Sequence, residues 1–315
     1  MLRLTKILLI AGGAIFALGV VVTVGGALAM RSSMAKKAES GNVGFEKKEE
    51  VITDDFDSIK ICEISHDIKI VESDSDEVKV EYYDSEKYVH DIDVKGDTLT
   101  IGVNSYTDGT PWWEWVTFDM DWIYGETTGD YQLTVYLPEG EYGSLELDNV
   151  SSNMIVPEGY TFDDLTVNTT SGDIAAECSV TGSVKISTVS GEVKLANGTP
   201  SDVDINTTSG NADLNDMTVA GLINISTISG EITLTNVVTD DVDINTTSGE
   251  IIFNDLTTGT ANIDTTSGDV SGTIAGDHEY DTSTVSGDID LPSNINGEPK
   301  IDISTVSGDI SLKAA

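Results

Sequence analysis

The feature that most constrains this chain is a Ser-Gly step that recurs every 19 to 21 residues through its C-terminal half. A threonine lies three residues before each of these glycines, and Asp, Glu or Asn follows each glycine directly. A degenerate copy stands one period earlier, at Ser152-Asn153. A period of this length indicates a repeat protein whose units stack on one another. The eight repeat glycines are Gly172, Gly191, Gly210, Gly230, Gly249, Gly268, Gly287 and Gly308.

Within each repeat unit the apolar residues alternate with polar ones. Val242 and Ile244 share one parity before Gly249, and Ile251 and Phe253 share one parity after it. Alternation in β-branched residues predicts short strands with one buried face. A single coil cannot bury that face alone, so neighbouring coils must stack. We therefore predict an all-β fold, a β-solenoid of about nine stacked coils over residues 148–315, roughly 43 Å long at one rung per 4.7–4.9 Å.

The Ser-Gly step is interpreted as the turn between the two strands of a coil. Glycine there either takes a positive φ or lets successive coils approach closely. The aligned threonines are expected to form an inward ladder whose hydroxyls bond to one another along the stack. The residues after the glycines are expected to form a solvated acidic row with a spacing of about 4.8 Å, and a bridging Ca²⁺ ion is the alternative.

Residues 51–147 are rich in strand patterns but less periodic. Segments such as Ile68-Lys69-Ile70 and Val78-Lys79-Val80 alternate in the same way as the repeats. We predict an irregular β-rich N-terminal part that caps the first regular coil. At the other end the sequence stops soon after Leu312, so the last strand is expected to be an open edge that permits end-to-end self-association.

The N-terminus contains a long uncharged segment, Ile7 to Met30, with basic residues on both sides. A helix of this length spans about 36 Å, enough for a bilayer. Residues 1–30 therefore predict a transmembrane anchor, and a cleaved signal peptide is the alternative because Ala27-Leu28-Ala29 fits a cleavage site. Residues 31–50 are polar and predict a flexible linker.

The orientation of the body relative to the membrane has two readings. The basic residues after the apolar segment favour a cytoplasmic body. The low lysine content and the β-repeat body favour export. We expect a single-pass cell-membrane protein whose C-terminal body is extracytoplasmic.

Composition limits the classes of function. The chain has 55 acidic and 16 basic side chains and a formal net charge of −39, which disfavours nucleic acid as a partner. Its two cysteines cannot form a disulfide scaffold, and no Cys/His spacing typical of a metal site occurs. His66, His90 and His278 are scattered without partners at ligand spacing, which predicts surface histidines. We therefore predict no cofactor, no metal and no catalytic residues.

All four tryptophans lie in one segment between the predicted strands at 99–103 and 133–137. They are Trp112, Trp113, Trp115 and Trp122. The segment is interpreted as a hydrophobic lid over one end of the solenoid. Contact with a sugar ligand or with a membrane interface is the alternative.

An N-terminal membrane segment, a strand-rich lead-in ending at Leu137-Pro138, and coils with a Thr-x-Ser-Gly-Asp motif together resemble a known bacterial family. It comprises β-strand-repeat proteins labelled putative adhesins, also called toastrack domains, and the resemblance covers roughly residues 51–315. The motif is specific for the architecture. The family is largely uncharacterised, so the resemblance supplies no catalytic residues.

Three functions follow as hypotheses. The first is a non-enzymatic, membrane-anchored cell-envelope protein whose acidic solenoid is an adhesion or interaction surface for a cell-surface glycan or an envelope protein. The second is an accessory or sensor of an envelope-stress system, which some members of the family resemble. The third is a polysaccharide-acting enzyme, which the scarcity of basic residues in the repeats disfavours.

Overall fold

The structure, a computed structural model, describes residues 45–85, 88–103, 131–292 and 299–314. Every regular element in these ranges is a β-strand. Within them, no helix has the length and apolar character needed to cross a bilayer. The segment from Ile7 to Met30 lies outside the described residues, so its role as an anchor stays a prediction.

The strands fall into an N-terminal group and a repeat group. The first group comprises β1 (Glu46–Ile52), β2 (Ser58–Cys62), β3 (Asp67–Glu72), β4 (Val78–Asp84), β5 (His90–Lys95), β6 (Thr98–Val103) and β7 (Gln132–Leu137). The second group comprises β8 (Gly140–Asp148), β9 (Met154–Val156), β10 (Tyr160–Asn168), β11 (Ile174–Ala176), β12 (Ser179–Val180), β13 (Ser183–Ser187), β14 (Val193–Ala196), β15 (Asp202–Asn206), β16 (Ala212–Asn215), β17 (Leu222–Ser226), β18 (Ile232–Thr235), β19 (Val238–Asn245), β20 (Ile251–Asp264), β21 (Val270–Ala275), β22 (Glu279–Ser283), β23 (Ile289–Asp290), β24 (Lys300–Ser304) and β25 (Ile310–Ala314).

Two ladders of mostly parallel strands enclose a continuous apolar core, and a small second cluster of Ile64, Tyr88 and Val103 lies at the N-terminal cap. The first has the spatial order β5-β6-β2-β8-β10-β13-β15-β17-β19-β20-β24-β22. The second has the order β1-β4-β7-β3-β9-β11-β14-β16-β18-β20-β21-β25-β23. Strand β20 is long enough to contribute to both. The molecule is an all-β solenoid of about eight turns, close to the nine that the repeat predicts.

The core is built from every second residue of each strand. In β15, Val203 and Ile205 are buried while the residues between and beside them are partly or fully exposed. The register stacks apolar side chains on apolar side chains, since Val203 lies between Val184 and Ile223 of the adjacent rungs. Burial of one such side chain contributes about 1.5–3 kcal/mol. The alternation therefore stabilises the stack rung by rung, as the sequence predicts.

The last coil of the sequence does not lie at the end of the stack. Strands β24 and β25 are inserted between the coil of Gly268 and strands β22 and β23. The prediction that the final strand forms the open edge is therefore wrong, because β22 and β23 form it. The inward residues explain this order: Ile301 and Ile303 of β24 are in register with Tyr280 and Thr282 of β22. The more apolar coil takes the position that is covered on both sides.

The N-terminal end shows a matching inversion and an added cap. Strands β2 and β3 lie between the rung of β6 and β7 and the rung of β8 and β9. Strands β5, β4 and β1 then add antiparallel pairings on the outside. Strand β1 begins at Glu46, so residues 46–50 are not part of the expected linker. They pair with β4, where Lys48 Nζ donates to Asp84 Oδ2 at 2.8 Å.

Candidate functional site

The predicted tryptophan site lies outside the described residues. The strands that flank its segment, β6 and β7, form the outermost parallel rung at the N-terminal end. The hypotheses of a lid, a glycan contact and a membrane contact for Trp112, Trp113, Trp115 and Trp122 therefore stay predictions.

The repeat glycines stack in a column along the solenoid, chiefly because the turns approach closely. A Cβ atom at Gly230 would lie 1.9 Å from the carbonyl oxygen of Gly210 in the adjacent rung. Real Cβ atoms do not approach a backbone oxygen so closely, so no larger residue fits without displacing the rung. Only two of the eight glycines have a positive φ, namely Gly172 at 129° and Gly191 at 134°. Close approach, the second of the two predicted reasons, is thus the general one.

The repeat threonines are inward and mostly buried, but their hydroxyls do not bond to one another. The Oγ1 atoms of Thr207 and Thr246 accept hydrogen bonds from the backbone N–H groups of Gly210 and Gly249, at 3.0 and 3.1 Å. The predicted hydroxyl ladder is therefore wrong. Thr265 accepts from Gly268 in the same way, and Thr169 and Thr188 instead donate to the carbonyl oxygens of Ser171 and Ser190, so these hydroxyls bond within their own coils. The hydroxyls of Thr227 and Thr305 are buried without a partner among the described residues.

The residues that follow the glycines form a column in which hydrogen bonding depends on side-chain length. Among the described residues, each Asp or Asn that has another rung stacked on it accepts a hydrogen bond from the backbone N–H of that rung. The longer glutamates do not. Asp173 Oδ1, for example, accepts from Glu192 N at 2.9 Å, and Asn211 Oδ1 accepts from Glu231 N at 3.0 Å. These bonds to the backbone offset part of the repulsion between neighbouring carboxylates. The acidic row is thus partly structural. Its accepting members are Asp67 and Asn153, which precede the first repeat glycine but share the column by register, and Asp173, Asn211, Asp269 and Asp309.

The prediction of surface histidines is wrong for all three. His66, His90 and His278 are buried. His278 lies near the C-terminal end, where its Nε2 is 3.1 Å from the carbonyl oxygen of Thr258. The other two come together in the N-terminal cap, because β5 and the turn after β2 lie at the same end of the stack.

A buried polar cluster surrounds His90 at this end. Its Nδ1 donates to Asp84 Oδ1 at 2.8 Å, and its Nε2 is 3.0 Å from Glu63 Oε2. Glu63 Oε1 also accepts the backbone N–H of Ile64 at 2.8 Å. His66 lies beside this pair, with its ring centroid 6.0 Å from that of His90. Elements distant in sequence thus supply a carboxylate–imidazole–carboxylate chain with a second imidazole next to it.

Burial disfavours the charged forms in this cluster, but the hydrogen bonds outweigh it. Burial lowers the pKa of His90, and the bonds to Asp84 and Glu63 nevertheless raise it to about 9. Burial would raise the pKa values of Glu63 and Asp84, yet their bonds to His90 hold both below the usual range. Burial also lowers the pKa of His66. At neutral pH the cluster therefore contains a protonated His90 between two carboxylates, beside a neutral His66.

The turn before β3 is an unrecognised copy of the repeat. Register places residues 62–67 under residues 148–153, which in turn lie under residues 168–173. His66 therefore occupies the position of a repeat glycine, and Glu63 occupies that of a repeat threonine. The same register places Ser152 at the glycine position of the next copy and Asn153 at the position after it, so the sequence alignment of Asn153 with the repeat glycines is wrong by one residue. Aligning Ser65-His66-Asp67 with the Ser-Gly-Asp motif would have found this copy in the sequence. Asp84 and His90 carry no such signal, because only the antiparallel cap brings them to the turn.

The C-terminal end of the solenoid is an incomplete rung. Ile289 of β23 is in register with Ile310 of β25, which is fully buried, yet 45% of Ile289 is exposed. Val285, in the turn between β22 and β23, is 82% exposed. In the part of the chain that the structure describes, no strand pairs with the outer side of β22 or β23. An inward-facing core position is therefore left open to solvent at this end.

Comparisons with known proteins give low-identity structural matches over most of the chain. A crystal structure named a putative lipid binding protein from Parabacteroides distasonis is 17% identical, with a TM-score of 0.49 over 85% of this chain and 96% of that one. A putative adhesin from Bacteroides fragilis is 12% identical, with a TM-score of 0.44 over 85% and 97%. A putative adhesin from Parabacteroides merdae is 16% identical, with a TM-score of 0.45 over 87% and 98%.

No curated protein matches the chain. The family model described as Toastrack DUF4097 matches residues 56–226 and 219–315, which together cover the whole repeat region and all of the N-terminal strands except β1. This agrees with the resemblance carried by the Thr-x-Ser-Gly-Asp motif. The chain belongs to the Toastrack DUF4097 family.

Proposed function

We propose that this protein is a non-enzymatic cell-envelope protein whose solenoid binds an extended segment of a partner protein at its open C-terminal end. The segment from Ile7 to Met30 would anchor the protein in the cell membrane, and the solenoid would lie outside the cell. The likeness to proteins named putative adhesins accords with an interaction surface. The incomplete rung of β22 and β23 is the observation that carries the proposal.

The two ends of the solenoid differ in how their edge strands are protected. At the N-terminal end the outermost strand β1 carries the sequence Glu-Lys-Lys-Glu-Glu, and charged edge strands resist pairing with other chains. At the C-terminal end the edge presents exposed Ile289 and Val285. An extended segment added there would form the next rung through backbone hydrogen bonds, and its apolar residues would cover Ile289.

Charge favours a basic partner over a second copy of this chain. Lys300 Nζ lies 3.0 Å from Asp281 and 3.3 Å from Asp302, whereas Asp288, Asp290 and Asp309 near the same edge have no basic partner among the described residues. Two chains of net charge −39 would repel each other across such an interface. A segment with alternating apolar and basic residues would complement both the uncovered core and the carboxylates.

Peptide binding to the full-length chain in detergent tests this proposal. The probes are two synthetic peptides, one of alternating valine and lysine and one of alternating valine and glutamate. We expect the basic peptide to bind more weakly as salt increases, and the acidic peptide not to bind. The Ile289→Lys variant should weaken binding of the basic peptide at least tenfold, since it removes the apolar contact and adds a like charge.

Leu222→Lys is the matched control, because Leu222 is a similarly exposed aliphatic residue in the middle of the solenoid. It should leave peptide binding unchanged. Equal binding by wild type and the Ile289→Lys variant, or no binding of the basic peptide, would overturn the proposed site. A glycan array probed with the same preparations separates the other hypothesis: glycan binding that Ile289→Lys leaves intact would indicate adhesion through another surface.

A further inference from the structure

The side chain of His66 is buried without hydrogen-bond partners. None of its surface is exposed, and both ring nitrogens lack a partner among the described residues. A buried polar group left in this state costs about 1–3 kcal/mol. The rings of Phe45, Tyr88 and Tyr131 pack around it, with centroids 5.3, 4.6 and 5.7 Å from that of His66. An imidazole whose two nitrogens have no hydrogen bond in an aromatic pocket points to a ligand that the nitrogens would bind.

Two potential metal ligands lie close to His66. Glu63, His66 and His90 each offer one ligand atom, and the three atoms all lie within 4.8 Å of one another. Tetrahedral Zn²⁺ with bonds of about 2.0–2.1 Å places its ligand atoms about 3.3 Å apart. Shifts of about 1–2 Å would close the three atoms around an ion. We propose that Glu63, His66 and His90 form a Zn²⁺ site in the N-terminal cap, in which the ion replaces the proton that Nε2 of His90 donates to Glu63 and that proton is released to solvent.

The surroundings of these residues have the features of an outer ligand shell. Asp84 Oδ1 accepts hydrogen bonds from both the Nδ1 and the backbone N–H of His90, at 2.8 and 3.0 Å. These bonds direct Nε2 of His90 towards Glu63, as carboxylates do behind metal-bound histidines. Lys48 holds the other oxygen of Asp84, and the backbone N–H of Ile64 fixes Glu63. Two of the three ligands are therefore already oriented.

The donor set selects the class of metal. Two imidazoles and one carboxylate suit Zn²⁺, whereas Ca²⁺ and Mg²⁺ prefer oxygen ligands alone. Replacement of the repeat threonine and glycine by Glu63 and His66 at this single turn supplies the donors where β5 covers the stack. A bound ion would join the turn between β2 and β3 to the start of β5. The site thus serves to fasten the antiparallel cap onto the solenoid.

Metal binding by the full-length protein tests the proposal. The protein is treated with EDTA, dialysed into buffer with excess Mg²⁺ to occupy surface carboxylates, and titrated with Zn²⁺. We expect one tightly bound Zn²⁺ per chain by mass spectrometry of the metal content, and a higher melting temperature. Co²⁺ should give the visible absorption of a tetrahedral nitrogen and oxygen site.

The variants His66→Phe and Asp84→Asn are compared with His278→Gln, a buried histidine remote from the cluster. Phenylalanine fills the pocket of an unpartnered imidazole, so His66→Phe should fold as wild type does, checked by circular dichroism. It should lose the Co²⁺ spectrum and the Zn²⁺-dependent melting shift. Asp84→Asn should weaken Zn²⁺ binding about 10–100-fold, and His278→Gln should bind as wild type does. Absence of stoichiometric binding in wild type, or undiminished binding in His66→Phe, would overturn the proposal.

Discussion

The two ends of the solenoid differ in how the edge strands and the end of the apolar core are covered. At both ends the first or last coil in sequence lies one rung inside the stack, so its strands are paired on both sides. The N-terminal end then adds the antiparallel strands β1, β4 and β5 and buries charged groups beneath them. In the described residues the C-terminal end adds nothing, and Ile289 remains partly exposed.

The difference shows what closes a repeat stack. Every interior rung is covered by its neighbours, so an end needs either a cap with a different pairing or a partner. The N-terminal cap buries Glu63 and His90, whose charges are stabilised by each other, by Asp84 and by the backbone N–H of Ile64. The C-terminal end avoids buried charge and leaves an incomplete rung instead.

Removal of His90 should break the N-terminal end most severely. His90→Ala leaves Glu63 and Asp84 buried without their shared cation, and loss of one partner of a buried pair costs about 3–5 kcal/mol. Urea unfolding in EDTA measures the loss. Asp93→Ala on the same strand is the control, because Asp93 contacts Lys95 only at the exposed surface and should change stability very little. Similar losses for the two variants would refute a stabilising role for the buried charges.

Substitution in the glycine column should distinguish the interior of the stack from its open end. Gly230→Ala places a Cβ atom 1.9 Å from a carbonyl of a rung covered on both sides, and we expect a loss of about 3 kcal/mol. Gly287→Ala makes an equivalent 2.1 Å contact, but its terminal rung can move outward, so about 1 kcal/mol is expected.

Thermal unfolding of the two variants gives the comparison. Gly140→Ala is the control, since a Cβ atom there would meet only the ring of Tyr142 at 3.9 Å. Equal destabilisation by Gly230→Ala and Gly287→Ala would mean that the end rung is as firmly held as the interior.

Truncation of the paired residues Ile310 and Ile289 should sharpen the comparison further. Ile310→Ala removes a fully buried side chain and should cost about 2–3 kcal/mol. Ile289→Ala removes a half-exposed side chain in the same register, so a loss below about 1 kcal/mol is expected. Urea unfolding of both variants measures the ratio. A larger loss for Ile289→Ala would place β23, rather than β25, inside the stack.

Much of the repeat region could be predicted from the sequence. Its period and alternation predict the coils, the parity of the core and the glycine turns. A second turn column was also within reach: Asn197, Asp216, Asn236 and Asp255 each lie six residues after a repeat glycine, and all have a positive φ. Asn and Asp tolerate this conformation better than other non-glycine residues, so their periodic recurrence is a usable signal.

The buried cluster was less accessible. Glu63 and His66 fall on a recognisable copy of the repeat, but the pattern gives no hint that His90 lies 3.0 Å from Glu63. His90 lies 27 residues after Glu63, the segment between them includes a strand of the cap, and the contact exists only after β4 and β5 have folded back. The repeat pattern predicts contacts only between residues that are one repeat length apart. The contact between Glu63 and His90 is not of this kind.

The β-solenoid follows from the repeat pattern, because each unit carries the same alternating strands and the same turn, where only glycine leaves room for the backbone of the adjacent rung. The order of the end coils and the assembly of the charged cluster emerge only when the chain has folded. Any coil can pair with any other through its backbone, so the choice depends on which coil gains most from being covered on both sides. That gain is a property of the whole stack rather than of any single repeat.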